Sequence, residues 1–152
     1  MKPSDDHYYM DVALRSAQRS YCSRLKVGAV VVTDSGAMFA GYNGTIPKYF
    51  PNVCELDSGE TAPYTVHAEE NCLYKMLKEG VSPKGATLYI SHGCCVNCSR
   101  MIACSGIKEV VYAEDYRSSQ GLDILRQCEI TVRKYCKESC DDQEKSKTSN
   151  RP

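Results

Sequence analysis

The sequence predicts an α/β protein, a mixed five-stranded sheet lying between two layers of helix. Three observations carry this. A run of small and β-branched residues at 27–33 is followed by a turn and a second short run, the pattern of an antiparallel hairpin. Downstream, three further strand-like runs alternate with stretches of helical periodicity, and strands separated by helices pair through crossovers. Finally, 152 residues suffice for one domain with a substantial core.

Taken in order, Ser4 stands before Asp5 and Asp6, an N-cap followed by acids that the positive end of a helix dipole favours. Tyr9, Met10, Ala13, Leu14 and Ala17 then recur at helical spacing, and the helix is expected to run to about Cys22. Val27 to Thr33 reads as a strand buried on both faces, Asp34-Ser35-Gly36 as the turn, and Ala37 to Gly41 as the returning strand. From Tyr42 to Tyr64 the chain has Pro47, Pro51 and Pro63 and no periodicity, and a loop of that length in a compact domain usually has a function or is mobile. Thr65 is predicted to cap the next helix, which carries Val66, Leu73, Met76 and Leu77 and stops at Gly80. Thr87 to Ser91 is the third strand, followed by a helix from near Cys95 to just before Gly106. Val110 to Ala113, a helix over Leu122 to Cys128 and a short strand at Ile130 to Val132 complete the domain. It is expected to span 1–136; residues 137–152 are polar and lack apolar anchors, so they read as a disordered tail.

Nineteen basic and nineteen acidic side chains cancel, so no strong field draws the protein to polynucleotide. No apolar run is long enough to span a bilayer and no export signal precedes the first helix, so a cytoplasmic protein is expected. In that setting ten cysteines point to metal ligation and buried thiols before they point to a disulfide framework. Cys72, Cys104 and Cys128, inside helical patterns, read as small buried hydrophobes, and Cys136 and Cys140 as free thiols near the tail.

Chemistry concentrates between His67 and Cys98. His67-Ala68-Glu69 opens one helix and Cys94-Cys95-Val96-Asn97-Cys98 opens another. One imidazole and two thiolates make three corners of a tetrahedral zinc site and leave the fourth for water. The C-x-x-C spacing selects Cys95 and Cys98; Cys94 then stands where the H-x-E…P-C-x-x-C signature of zinc deaminases has proline, and is read as a neighbour of the site. Helix N-termini favour thiolate over thiol, and Glu69 is placed to carry the proton that metal-assisted hydrolysis must move. Each motif alone is weak. H-x-E arises often by chance, C-x-x-C serves redox and structural zinc sites, and Cys94 as a fourth ligand would close the metal off. Their order, each opening a helix after a strand, is far more specific.

On these residues the chain resembles the cytidine deaminase superfamily, and within it the deoxycytidylate (dCMP) deaminases, particularly those of phage type. The resemblance covers roughly residues 5–135 and rests on Arg19-Ser20-x-Cys22, Lys26-Val27-Gly28-Ala29, Gly41-Tyr42-Asn43-Gly44, His67-Ala68-Glu69-x-Asn71, Cys95-x-x-Cys98 and Gly106-Ile107-Lys108. It implies a cytidine-deaminase-like three-layer α/β/α fold, zinc on His67, Cys95 and Cys98, and Glu69 as general acid and base in hydrolysis of dCMP to dUMP and ammonia, feeding dTMP synthesis. It places Asn43, Ala68 and Tyr116 at the nucleotide, and Lys26 and Arg24 are candidates for the phosphate. Arg24, Tyr42, Asn43 and Gly44 are implied at an effector site for dCTP (activator) and dTTP (inhibitor), with Mg2+ accompanying the triphosphate. Thr45-Ile46 make the Gly-Tyr-Asn-Gly loop one residue longer before Pro47 than the family's usual pattern. Cys22 and Cys54 match positions that bind a second, structural zinc in some members, with no histidine partner evident between Cys54 and His67. A homo-oligomer, often a hexamer, in the host cytoplasm if phage-encoded, is also implied. The competing readings are a deaminase of another cytosine nucleoside or nucleotide such as dCTP, and a non-enzymatic zinc module on the same fold.

Overall fold

In the structure, a computed structural model that describes residues 2–137, the chain is a five-stranded mixed sheet with one helix on one face and three on the other. Helix α1 (Asp5–Ala17) begins where Ser4 Oγ accepts the His7 N–H, the cap the sequence predicts. It ends five residues earlier than expected, because Gln18, Arg19 and Ser20 make a tight turn back onto Arg15, Ser16 and Ala17. From there Ser20 Oγ donates to the Asn43 carbonyl and Cys22 joins Cys54, so this stretch belongs to the loops around the site.

Strands β1 (Gly28–Val32) and β2 (Met38–Tyr42) form the predicted antiparallel hairpin. β1 also pairs antiparallel with β5 (Thr87–His92), which continues in parallel to β6 (Glu109–Glu114) and β7 (Thr131–Lys134), giving the order β2-β1-β5-β6-β7. The period-two alternation of strands divides the core. Val30, Val32, Tyr89 and Val111 face Met10 and Ala13 of α1. Ala29, Val31, Leu88, Ile90 and Val110 face the opposite layer, formed by α2 (Ala68–Glu79), α3 (Val96–Ser105) and α4 (Gln120–Gln127).

The long loop contains short pairings. β3 (Gly44–Thr45) pairs with β4 (Thr65–Val66), and Glu55 bridges to Thr61. Thr65 is therefore a strand residue and not the cap expected of it; its hydroxyl donates to the Cys54 carbonyl. His67 takes the cap position of α2 instead, and Gly80 ends that helix in the left-handed region at φ 68°. Two cysteine expectations also fail. Cys104, within α3, and Cys128, the residue that caps the end of α4, are both exposed, whereas Cys72 is buried with its thiol on the Ala29 carbonyl. The expected polar tail and Cys140 lie, apart from Lys137, outside the described residues. Among the described residues no helix is long and apolar enough to cross a membrane.

Candidate active site

Helices α2 and α3 both start at the same end of the sheet, just beyond the carboxyl ends of β5 and β6. In open α/β sheets this is where ligands bind. His67 caps α2 with an extended backbone, and Glu70 reaches back to accept the His67 N–H at 3.2 Å while Tyr74 donates to its other oxygen at 2.8 Å. Cys95 caps α3, its sulfur accepting the Cys98 N–H, and Cys98 follows one turn in. Gly121 of α4 fits against the loop before α3 so closely that an added Cβ would sit 2.3 Å from the Cys94 carbonyl oxygen.

These helix starts bring His67 Nδ1 to 3.5 Å from Cys95 Sγ and 3.3 Å from Cys98 Sγ, with all three atoms within 4.8 Å of one another. A tetrahedral ion with ordinary zinc bond lengths would separate such donors by about 3.5–3.8 Å, so the set fits zinc with little movement. The three side chains also act on one another. The Cys98 thiol donates toward Cys95, which with His67 and the helix start holds Cys95 well below the usual thiol range and pushes Cys98 above it. His67 rises to about 9, chiefly through its hydrogen bond with Cys95. A zinc ion would meet ligands already gathered.

Glu69 sits beside them, 4 % exposed, and burial raises its carboxyl above the ordinary range against the lowering pull of Cys98 and His67. Cys94 lies outside the cluster, in the core, with burial pushing its thiol up to about 12. A cavity of about 510 Å3 opens over the cluster, lined among others by Ala68, Glu69, Asn43, Arg24 and Tyr116.

The family model of the cytidine and deoxycytidylate deaminase zinc-binding region matches residues 3–114. The chain belongs to this family. It is 41% identical over 127 residues to deoxycytidylate deaminase of Mycobacterium phage D29, which covers 75% of this chain and 98% of that protein. Over 133 residues it is 36% identical to ComE operon protein 2 of Bacillus subtilis, covering 84% and 69% of the two chains. Its fold matches the crystal structure of dCMP deaminase from the cyanophage S-TIM5 in complex with dCMP and dUMP, with TM-score 0.83, 43% identity, and 89% of this chain and 99% of that chain covered.

Against this family frame the other expected positions separate. Ala68, Asn43, Tyr116 and Arg24 line the cavity, whereas Lys26, Tyr42 and Gly44 do not. Asn43 acts as a clamp: its Oδ1 accepts the Val27 N–H at 2.9 Å and its Nδ2 donates to the Leu25 carbonyl at 2.7 Å. Arg24 also faces its own loop, donating to the Gly59 carbonyl and, at 3.4 Å, to Thr61 Oγ1. Gly44 packs on Tyr21, whose hydroxyl accepts the Thr45 N–H, and Tyr42 carries the Arg19 guanidinium over its ring. Cys22 and Cys54, expected as half of a second zinc site, are joined as a disulfide at the cavity wall, so neither sulfur is a thiolate ligand in this structure. The sequence reading missed His92, Glu114, Asp115 and Arg117, which reach the cavity from the ends of β5 and β6. Their only advance signal was position, at the carboxyl ends of strands flanking the helix starts.

Proposed function

We propose that the chain deaminates dCMP hydrolytically to dUMP and ammonia, with zinc on His67, Cys95 and Cys98 and Glu69 as the proton carrier. The single observation that carries this reading is the convergence of one ring nitrogen and two sulfurs beside a buried carboxyl at the floor of one cavity. Support also comes from the likeness to the phage deoxycytidylate deaminase and to the cyanophage enzyme bound to dCMP and dUMP. Zinc held there supplies a Lewis acid that makes water acidic enough to be deprotonated near neutral pH.

The chain's own residues do the rest. The Glu69 carboxylate takes a proton from the attacking water and passes it to N3 of the cytosine as oxygen adds to C4. It then carries the second proton to the exocyclic amine, the C4–N bond breaks and ammonia leaves. Its shortage of solvent keeps the proton on this route, and burial brings the affinities of donor and acceptor closer together. Ala68, at the first turn of α2, and Tyr116 would border the base and sugar, with Asn43 holding the wall behind them.

The same reading extends to regulation and assembly: dCTP as activator and dTTP as inhibitor at the 42–44 loop with Arg24, Mg2+ with the triphosphate, a homo-hexamer, and dUMP consumed in dTMP synthesis. The alternative reading changes only the substrate, to dCTP or another cytosine nucleotide. A non-enzymatic zinc module on the same fold is the other alternative.

The decisive experiment pairs ammonia release with metal analysis. Wild-type protein should release ammonia from dCMP, and Glu69→Gln should keep one zinc per chain while losing about 10^3-fold or more in kcat, since the proton route is gone. A Glu69→Gln variant with wild-type turnover would falsify the role given to Glu69. Ammonia released from dCTP but not dCMP would move the substrate to the alternative, and none from any cytosine compound would favour the module.

A further inference from the structure

The three donors of the cluster do not reach it with equal support. Cys98 lies inside α3, and Cys95 caps that helix shortly after β5, a strand paired on both sides within the central sheet. His67 instead follows β4, two residues long and paired with the two residues of β3, at the end of the long loop after β2. Its ring meets the sulfurs through Nδ1, the ring nitrogen nearer the main chain. Once the ring has taken one of its few rotamers, the short lever leaves the position of Nδ1 to the His67 backbone.

That backbone is gripped from both sides. The His67 carbonyl accepts the Asn71 N–H at 2.9 Å, the hydrogen bond that opens α2. The His67 N–H is one that a helix start leaves without a partner inside the helix, and Glu70 Oε1 accepts it at 3.2 Å. Glu70 Oε2 accepts the Tyr74 hydroxyl at 2.8 Å, one turn further along. A carboxylate engaged at both oxygens is less free to swing out to water, so the phenol steadies the acid and the acid steadies the histidine main chain. Neither Glu70 nor Tyr74 lines the cavity, so neither is placed to touch a substrate. Tyr74 is half exposed, and removing its hydroxyl disturbs little packing.

We infer that Glu70, steadied by Tyr74, is a positioning residue that sets the His67 corner of the zinc site and so strengthens metal binding. This rests on zinc being held by His67, Cys95 and Cys98. It gives a task to the one residue that the His67-Ala68-Glu69-x-Asn71 motif leaves open.

The test uses the full chain as wild type, Glu70→Ala, Glu70→Gln, Tyr74→Phe and the control Glu79→Ala, which removes an exposed acid at the far end of α2. Zinc affinity is read by competition with a chelating dye, the metal geometry by the visible spectrum of cobalt-loaded protein, and folding by thermal melts. Glu70→Ala should weaken zinc binding by about ten- to a hundredfold, the range of a lost outer partner of a metal ligand, and shift the cobalt bands. Tyr74→Phe should weaken it by about three- to tenfold, as one net hydrogen bond is lost. In Glu70→Gln the amide oxygen still accepts the His67 N–H and the amide nitrogen donates to Tyr74, so affinity should stay within about threefold of wild type with the cobalt bands in place. Glu79→Ala should match wild type. Wild-type zinc affinity and cobalt bands in Glu70→Ala would overturn the inference, even if that variant melts lower, while leaving the zinc site itself standing. Equal losses in Glu70→Gln and Glu70→Ala would overturn it too, since charge and not the hydrogen bond would then be holding the metal. Should Glu70→Ala not fold, unchanged zinc affinity in Tyr74→Phe overturns it in the same way. Wild-type protein that takes up no zinc would overturn the reading of the cluster beneath it.

Discussion

Cys94 and Cys95 are neighbours in the chain with opposite chemistry. Cys95 caps α3, where the Cys98 thiol first, then the His67 ring and the helix start, favour its thiolate. The Cys94 side chain points into the core, 2 % exposed, where burial pushes its thiol up to about 12. Cys95→Ser should therefore lose stoichiometric zinc and turnover, because a hydroxyl is a far poorer ligand. Cys94→Ala should keep one zinc per chain and activity within about threefold, losing roughly 1 kcal/mol of stability from the missing sulfur. Metal analysis and urea denaturation of the two variants check this, and zinc lost from Cys94→Ala would mean a closed, four-ligand site. His67, Glu69, Cys95 and Cys98 were legible because the spacing that defines them is local, set by the first turn of a helix. Arg117 and His92 were not, because their place depends on which strand ends the fold sets side by side.

At the scale of elements, the metal loop is held by how α4 packs on it. Gly121 sits where a Cβ would meet the Cys94 oxygen at 2.3 Å and the Cys95 oxygen at 2.9 Å. A side chain there must push α4 away or shift the loop that carries Cys95. Gly121→Ala is expected to cost about 1–3 kcal/mol of stability and to weaken zinc retention by tenfold or more, read by competition with a chelating dye. Wild-type retention with only a lower melting temperature would show that the loop keeps its shape without α4. The sequence foresaw the existence and kind of each helix and of the five strands, since periodicity and turn residues are carried within each segment. It misplaced ends wherever a distant partner decides them. α1 stops at Ala17 because Ser20 and Cys22 are drawn to Asn43 and Cys54, and Thr65 leaves the capping role because Gly44 and Thr45 offer it a strand partner. Helix propensity is weak beside such contacts.

At the scale of the whole molecule, α1 is, among the described residues, the one helix on its face of the sheet, and it is fastened there by a polar clamp as well as by Met10 and Ala13. Arg133 of β7 donates to Asp6 at 2.8 Å and to Glu109, and the Tyr89 hydroxyl donates to Asp6 at 2.9 Å. The hydrogen bond from Arg133 holds the Asp6 carboxyl below its ordinary value of 3.8, so folding favours the ionised form. A depressed carboxyl contributes stability that is complete above its unfolded pKa and lost as pH falls through the folded one. Tyr89 has the reverse sign. Burial first, then Asp6, raise its phenol above 10.0, so its contribution is complete below that pH and declines as pH rises past it. The clamp should thus hold level across neutral pH and slacken at both ends. Because Arg133 is 43% exposed, solvent screens it and the Asp6 part is worth about 1 kcal/mol or less, or roughly 2–4 °C in melting temperature for a chain of this size. Acid also strips zinc from any such site, so the informative quantity is the difference between wild type and variant, not either curve alone. Asp6→Asn should melt below wild type at pH 6–8, and that gap should close as pH falls below about 4. Tyr89→Phe should instead lose its gap to wild type only above about pH 10. Thermal melts of the three proteins across this range read both effects, and a gap for Asp6→Asn that stays constant into acid would show that α1 is held by its apolar face alone.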